Sequence, residues 1–209
     1  MKIKQSFHTT TLTRTKVTNN IIRCYNNTSD NHRTDWYKEA FDYCEGLSIK
    51  HNVPTFKIVG IVSALSPMKS WGQNKTLAEE FISGRRSGTF SRNISKAVSI
   101  LNNSTTLSEV KTVLNGPKTV AFFENIYNYN DVDHVTVDRH AIEIACNYAM
   151  EESMKSLTGS QYEFFKGCYK RAAKKLNLRP NLVQSATWVY WREGRRKLKV
   201  ITKGDLISK

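Results

Sequence analysis

The chain has 209 residues, with 32 Lys and Arg against 18 Asp and Glu, a formal net charge of +14. That length suits one domain, or two small lobes sharing a cleft, with a real apolar core. The basic surplus points to a polyanionic partner, nucleic acid before membrane: no segment is a polybasic amphipathic anchor and no apolar run could span a bilayer.

The opening "MKIKQSFHTTTLTRTKV" lacks the apolar stretch of a secretory signal. Cys24, Cys44, Cys146 and Cys168 are widely spaced without a C-x-x-C pair, as expected of reduced thiols in a cytoplasmic protein. The histidines show no zinc-ligand spacing, so neither a metal nor another cofactor is expected. Residues 1–33 are rich in Thr and Asn, with one apolar island at Ile21-Ile22, and read as an irregular arm.

From residue 34 the period is helical. "TDWYKEAFDYCEGL" offers Thr34 or Asp35 as a cap and sets Trp36, Ala40, Phe41, Cys44 and Leu47 on one face. "TFKIVGIVSAL" is apolar nearly all round, as a buried central helix would be, and Ser66-Pro67 stops it. "WGQNKTLAEEFISG" is amphipathic and closed by Gly84, and "SRNISKAVSILNN" aligns Ile94, Ala97, Val98 and Leu101. "TLSEVKTVL" and "KTVAFFENIYN" are two helices split only by "NGP". "VTVDRHAIEIACNYAM" then leads from an apolar alternation into a further helix, and "GSQYEFFKGCYKRAAKKL" and "PNLVQSATWVYWREG" complete the set. The pattern predicts an all-α protein of nine or ten helices: arm 1–33, helical domain 34–194, basic tail 195–209.

Two segments carry candidate chemistry. In "EVKTVLNGPKTVAFF" the joint is a tight helical hairpin, Gly116 allowing a positive φ and Pro117 suiting the next helix's first turn. Its unpaired N–H groups and the helix dipole suit a phosphate. Lys118 stands against the positive end of that dipole, either as an amine nucleophile or as a solvated lysine beside the turn. At Asp138-Arg139-His140 three ionisable groups sit at the edge of a core. Asp138 reads either as an N-cap or as a catalytic carboxylate at a helix mouth, and Arg139 and His140 either meet phosphate or pair locally with Asp138 or Glu143.

"LNGPKTVAFFENI", a loop, and "VTVDRHA" resemble the helix–hairpin–helix DNA glycosylases, which carry an L-P-G-V-G-x-K-T-A hairpin and, about twenty residues on, a V-D-T-H segment. "IVGIVSALSPMKSWGQNKTLAEEFI" is similar to that family's helix ending in an L-S-x-Q turn, so the resemblance spans roughly residues 55–150. It implies a two-lobed all-α fold, a monomer acting on double-stranded DNA, Asp138 as the catalytic aspartate and Lys118 as the lyase amine. It places Asn115, Gly116 and Thr119 in the phosphate-gripping hairpin, Ser66, Pro67, Met68 and Lys69 in the turn that wedges the duplex, and Arg139 on DNA. Trp71, Phe122, Phe123 and Tyr127 are candidate lining for a flipped base. The departures are one glycine plus Pro117 in the hairpin, Pro67 or Met68 for the wedge glutamine, no four-cysteine iron–sulfur loop, and an ending more like phage-borne relatives. That broader lineage includes the α-glutamyl/putrescinyl-thymine pyrophosphorylase-like proteins, which build hypermodified thymines.

The expected activity is therefore DNA N-glycosylase, with or without lyase action, in the cytoplasm (a host's, if phage-encoded). A base-hypermodifying transferase is the second reading. The third is not an enzyme: "AAKKLNLRPNLVQSATWVYWR" has the apolar spacing of a DNA-binding helix-turn-helix. In "WVYWREGRRKLKVITK", Trp188 and Trp191 do not both fit one narrow helix face, which leaves one exposed or against the strand.

Overall fold

The computed structural model describes residues 2–3, 12–86, 88–130, 133–151, 157–195 and 200–201. Among them the regular structure is helical apart from two short ladders: Lys2–Ile3 pairs antiparallel with Leu12–Thr13, and Ala149–Met150 pairs parallel with Val200–Ile201. The helices are α1 Arg14–Asn26, α2 Trp36–His51, α3 Thr55–Leu65, α4 Trp71–Ile82, α5 Ser91–Asn103, α6 Leu107–Leu114, α7 Pro117–Tyr127, α8 Arg139–Cys146, α9 Gly159–Leu176 and α10 Pro180–Arg195. None is long and apolar enough to cross a membrane. The chain divides into two compact units, one made of Met1–Trp36 with Asn130–Lys209 and the other of Tyr37–Tyr129.

This corrects the expected boundaries. Residues 1–33 are not all an irregular arm, because α1 occupies their second half and belongs to the core of the first unit. Its Thr and Asn content masks an apolar stripe, Val17, Ile21 and Cys24, each buried. The Thr13 hydroxyl caps it by accepting the Lys16 N–H at 3.2 Å. Of the basic tail 195–209, only Arg195, at the end of α10, and Val200–Ile201 lie within the described residues.

In the second unit α3 is the hub, touching α4, α5, α6 and α7. Every residue from Ile58 to Leu65 is buried, as an all-round apolar sequence requires. Gly60 lets α5 and α6 close on it: a Cβ there would lie 2.7 Å from Val110 Cγ1 and 3.1 Å from Ile100 Cγ2. Both are methyls of stiff, buried β-branched side chains. Gly60→Ala is therefore expected to cost about 1–3 kcal/mol through overpacking. Denaturant unfolding checks this, and an unchanged midpoint would mean that α5 and α6 shift without cost. On α5 the buried stripe is Asn93, Ala97 and Ile100, so its face is turned slightly from the expected one.

The first unit packs α1, α8, α9 and α10 against one another around Val17, Ile21, Ile142, Phe165, Tyr169 and Val183. Arg179, in the three-residue joint between α9 and α10, ties that joint to Asp35 Oδ2 at 2.5 Å and to Asn130 Oδ1 at 2.9 Å.

Candidate active site

The Asp138 seat is built from the first unit alone. Val135, Thr136 and Val137 are buried, and the Asp138 N–H turns back onto Thr136 O at 3.2 Å. The Tyr162 hydroxyl on α9 holds them, donating to Val135 O at 3.0 Å and accepting the Val137 N–H at 3.3 Å. Burial pushes that phenol up to about 12, so it stays neutral while bridging the two valines. Tyr169, two helical turns on, donates to Ala141 O at 3.3 Å and fixes the first turn of α8. Its hydroxyl is likewise pushed well above its ordinary value by burial.

Asp138 then caps α8. Its Oδ1 accepts the N–H groups of His140 at 2.9 Å and Ala141 at 2.8 Å. Its Oδ2 accepts the indole N–H of Trp188, on α10, at 3.0 Å. All three donors are neutral, so they orient the half-buried carboxylate without cancelling its charge. An ionised carboxylate oxygen has two acceptor positions, and the indole occupies one on Oδ2.

Trp191, one turn further along α10, does the same for a second carboxylate. It is buried, and its indole N–H donates to Glu143 Oε2 at 3.0 Å. Glu143 is fully buried; its Oε1 accepts the Met150 N–H at 3.1 Å, and His140 Nδ1 lies 3.3 Å from Oε2. The expectation that Trp188 and Trp191 could not share a helix face is thus corrected. Residues three apart do share one, and both indoles reach α8. Of the two readings of His140, the local pairing with Glu143 is what forms. Arg139, the first residue of α8, is half-buried.

The other predicted site residues lie in the second unit. In the hairpin, Asn115 and not Gly116 takes the left-handed conformation, at φ 43°, and closes α6 through its N–H on Lys111 O at 3.1 Å. Gly116 is extended at φ −169°, where any residue is comfortable. Its lack of a Cβ instead makes room for the Thr119 hydroxyl, which would lie 3.2 Å from one. Thr119 Oγ1 donates to Gly116 O at 3.1 Å and bonds Leu114 O more weakly at 3.4 Å, and the Lys96 ammonium also donates to Leu114 O. Pro117 starts α7, and Lys118 and Asn115 are exposed.

Ser66 to Lys69 form a tight turn, closed by Lys69 N on Ser66 O at 3.1 Å. Pro67 sits where such turns favour proline, but the next position, which favours glycine, holds Met68 at φ 64° with its side chain 65% exposed. The Lys69 ammonium donates to Gly88 O at 2.8 Å, which anchors the turn. The candidate lining residues are committed to packing within their unit. Phe123 is fully buried and stacks on Tyr127 at 5.8 Å, Phe122 meets Tyr37 edge-on at 6.3 Å, and Trp71 meets Tyr43 at 5.8 Å.

The helix-turn-helix reading loses its recognition helix. From Pro180 to Thr187 every residue of α10 is buried except Leu182, which is half-buried, so that stretch has no face to lay in a groove. The four cysteines are buried free thiols, and burial pushes Cys24, Cys44 and Cys146 up to about 12, far from nucleophilic use. Among the described residues no three His, Cys, Asp or Glu side chains gather as a metal site would need.

Sequence reasoning missed Tyr162 and Tyr169 and singled out Trp188 and Trp191 without their carboxylate partners; each of the four holds Asp138 or its helix. Their signal was the spacing itself: two tryptophans one turn apart on the last predicted helix, facing a short helix that starts and centres on carboxylates. No curated protein and no solved structure matches the chain. A family model described as "Family of unknown function (DUF7178)" matches residues 3–195, and the chain belongs to that family.

Proposed function

We propose that the chain is a DNA base-processing enzyme, an N-glycosylase with Asp138 as its essential carboxylate. The observation that supports this is the seat of Asp138: a half-buried carboxylate held in one orientation by three neutral donors, two on Oδ1 and one on Oδ2. Cleaving an N-glycosidic bond sends the bonding electron pair out with the base, which takes up a proton, and leaves a cationic sugar at C1′. A fixed anion beside C1′ stabilises that cation more than it does the neutral substrate, which is what lowers a barrier. Water then adds to C1′, and its proton passes to the carboxylate or to solvent. The net charge of +14 supports a polyanionic substrate, and the exposed Met68 turn and the Asn115–Lys118 hairpin are the duplex contacts in this reading.

The test incubates the protein with duplexes carrying normal, damaged and hypermodified bases and follows the products by mass spectrometry. A free base that disappears with Asp138→Asn supports the glycosylase. A base that gains mass instead replaces it with the transferase reading on the same scaffold.

Lys118 is assigned here to backbone phosphate and not to lyase chemistry. It is exposed, and the hairpin beside it has its hydroxyl and one carbonyl already engaged. Borohydride treatment during turnover is expected to trap no protein–DNA adduct. Lys118→Ala should weaken duplex binding a few-fold and leave base release intact, at about the scale of one phosphate contact. A trapped adduct that vanishes in Lys118→Ala would make the lysine the nucleophile.

A further inference from the structure

We propose that Arg192 is a phosphate-binding residue that shares the Trp188 indole with Asp138 and is held in place by stacking on that ring. This rests on the DNA reading above but concerns a residue that reading does not use. One indole connects the two groups: its N–H bonds Asp138 Oδ2 at 3.0 Å, and its face carries the Arg192 guanidinium, whose carbon lies 4.6 Å from the ring centroid. A guanidinium lying on an aromatic face is orientated by cation–π attraction while its in-plane N–H donors point outward. Those donors match two oxygens of a phosphodiester as a parallel pair.

The acid next in sequence does not compete for them. Glu193 Oε2 is taken by His32 Nε2 at 2.8 Å. The ring's other nitrogen accepts the Ser29 N–H at 2.9 Å, which puts the proton on Nε2 and makes that nitrogen the donor to Glu193. Among the described residues no carboxylate lies within ion-pair distance of Arg192, which is exposed. The tilted ring of Trp36, 6.2 Å from Trp188, and the edge of His140, 6.3 Å away, pack around the platform. The ligand class follows from the pairing: a carboxylate suited to a sugar cation stands at the edge of one ring and a guanidinium suited to a phosphodiester on its face. A nucleotide presents those two groups next to each other.

Binding of the full chain to a fluorescent duplex oligonucleotide, measured by anisotropy across a salt series, tests this without relying on turnover. Arg192→Ala is expected to weaken binding roughly tenfold, as loss of a charged hydrogen-bond pair does. It should also lower the slope of log affinity against log salt by about 0.9, as loss of one phosphate contact does. Arg192→Lys should keep the slope and lose much of the affinity, because an ammonium neither stacks as a plane nor forks. The thermal midpoint of Arg192→Ala should match wild type, since the residue is exposed. Wild-type affinity and slope in Arg192→Ala would overturn the phosphate contact and leave the Asp138 reading standing. Weaker binding with an unchanged slope would also overturn it, as a packing defect. A wild-type protein that binds duplex with no salt dependence would sink the DNA reading itself, and this proposal with it.

Discussion

Asp138→Asn is expected to lose base release by at least about 10²-fold, the scale seen when one preorganised electrostatic group is removed. The structure adds a second effect. Asparagine caps a helix as well as aspartate, so its amide oxygen goes to the His140 and Ala141 N–H groups. Its NH₂ group then faces the Trp188 indole N–H, donor against donor, where Oδ2 accepts now. Stranding that indole should cost about 1–3 kcal/mol of stability. Pairing the substitution with Trp188→Phe removes the stranded N–H, so the double variant should recover much of that stability and none of the activity. Unfolding and base-release measurements on all four proteins form a double-mutant cycle that separates the two roles. Retained activity in Asp138→Asn would leave Asp138 as a cap and an anchor for α10, with no part in chemistry.

The largest stability effect should come from Glu143, which the proposed chemistry does not touch. Glu143→Ala strands the Met150 N–H and the Trp191 indole, removes the partner of His140, and does so in a fully buried place. Leaving buried donors unpaired costs about 1–3 kcal/mol each, so the total is a large part of the roughly 5–15 kcal/mol that holds a domain folded. The second unit has its own core around α3, so urea unfolding of Glu143→Ala should split into two transitions, with the first unit melting early. Glu143→Gln keeps one good acceptor and should fall between the two. A single wild-type transition in Glu143→Ala would mean that water replaces the carboxylate cheaply.

What was legible in the sequence was whatever neighbours decide. The bounds of α3, α5 and α9 follow from their apolar residues, helped in α9 by the Thr158 cap, and each matches its expected segment. The Asp138 cap was legible for the same reason, since its partners are two and three residues away. α1 was missed because threonine and asparagine are weak helix formers and its stripe matters only against α8, α9 and α10. The hairpin was read with the left-handed residue one place too late, because asparagine and glycine both tolerate that conformation and only the capping geometry decides between them. The indole on Asp138 comes from fifty residues away, and no local pattern announces a bond of that span.

The first unit draws its helices from both sides of the 37–129 segment, and this sets an order of assembly as the chain leaves the ribosome. The continuous segment contains its whole hub, so it can fold while synthesis is still under way. α1 emerges first yet has to wait, its Val17 and Ile21 side chains uncovered, until α8, α9 and α10 exist to receive them. Trp188 and Trp191 come last of all, so neither carboxylate has its full set of donors before α10 docks. A chain stopped before α10 therefore has a folded second unit but a half-made Asp138 seat, its carboxylate held by the two N–H groups of α8 and not yet by the indole.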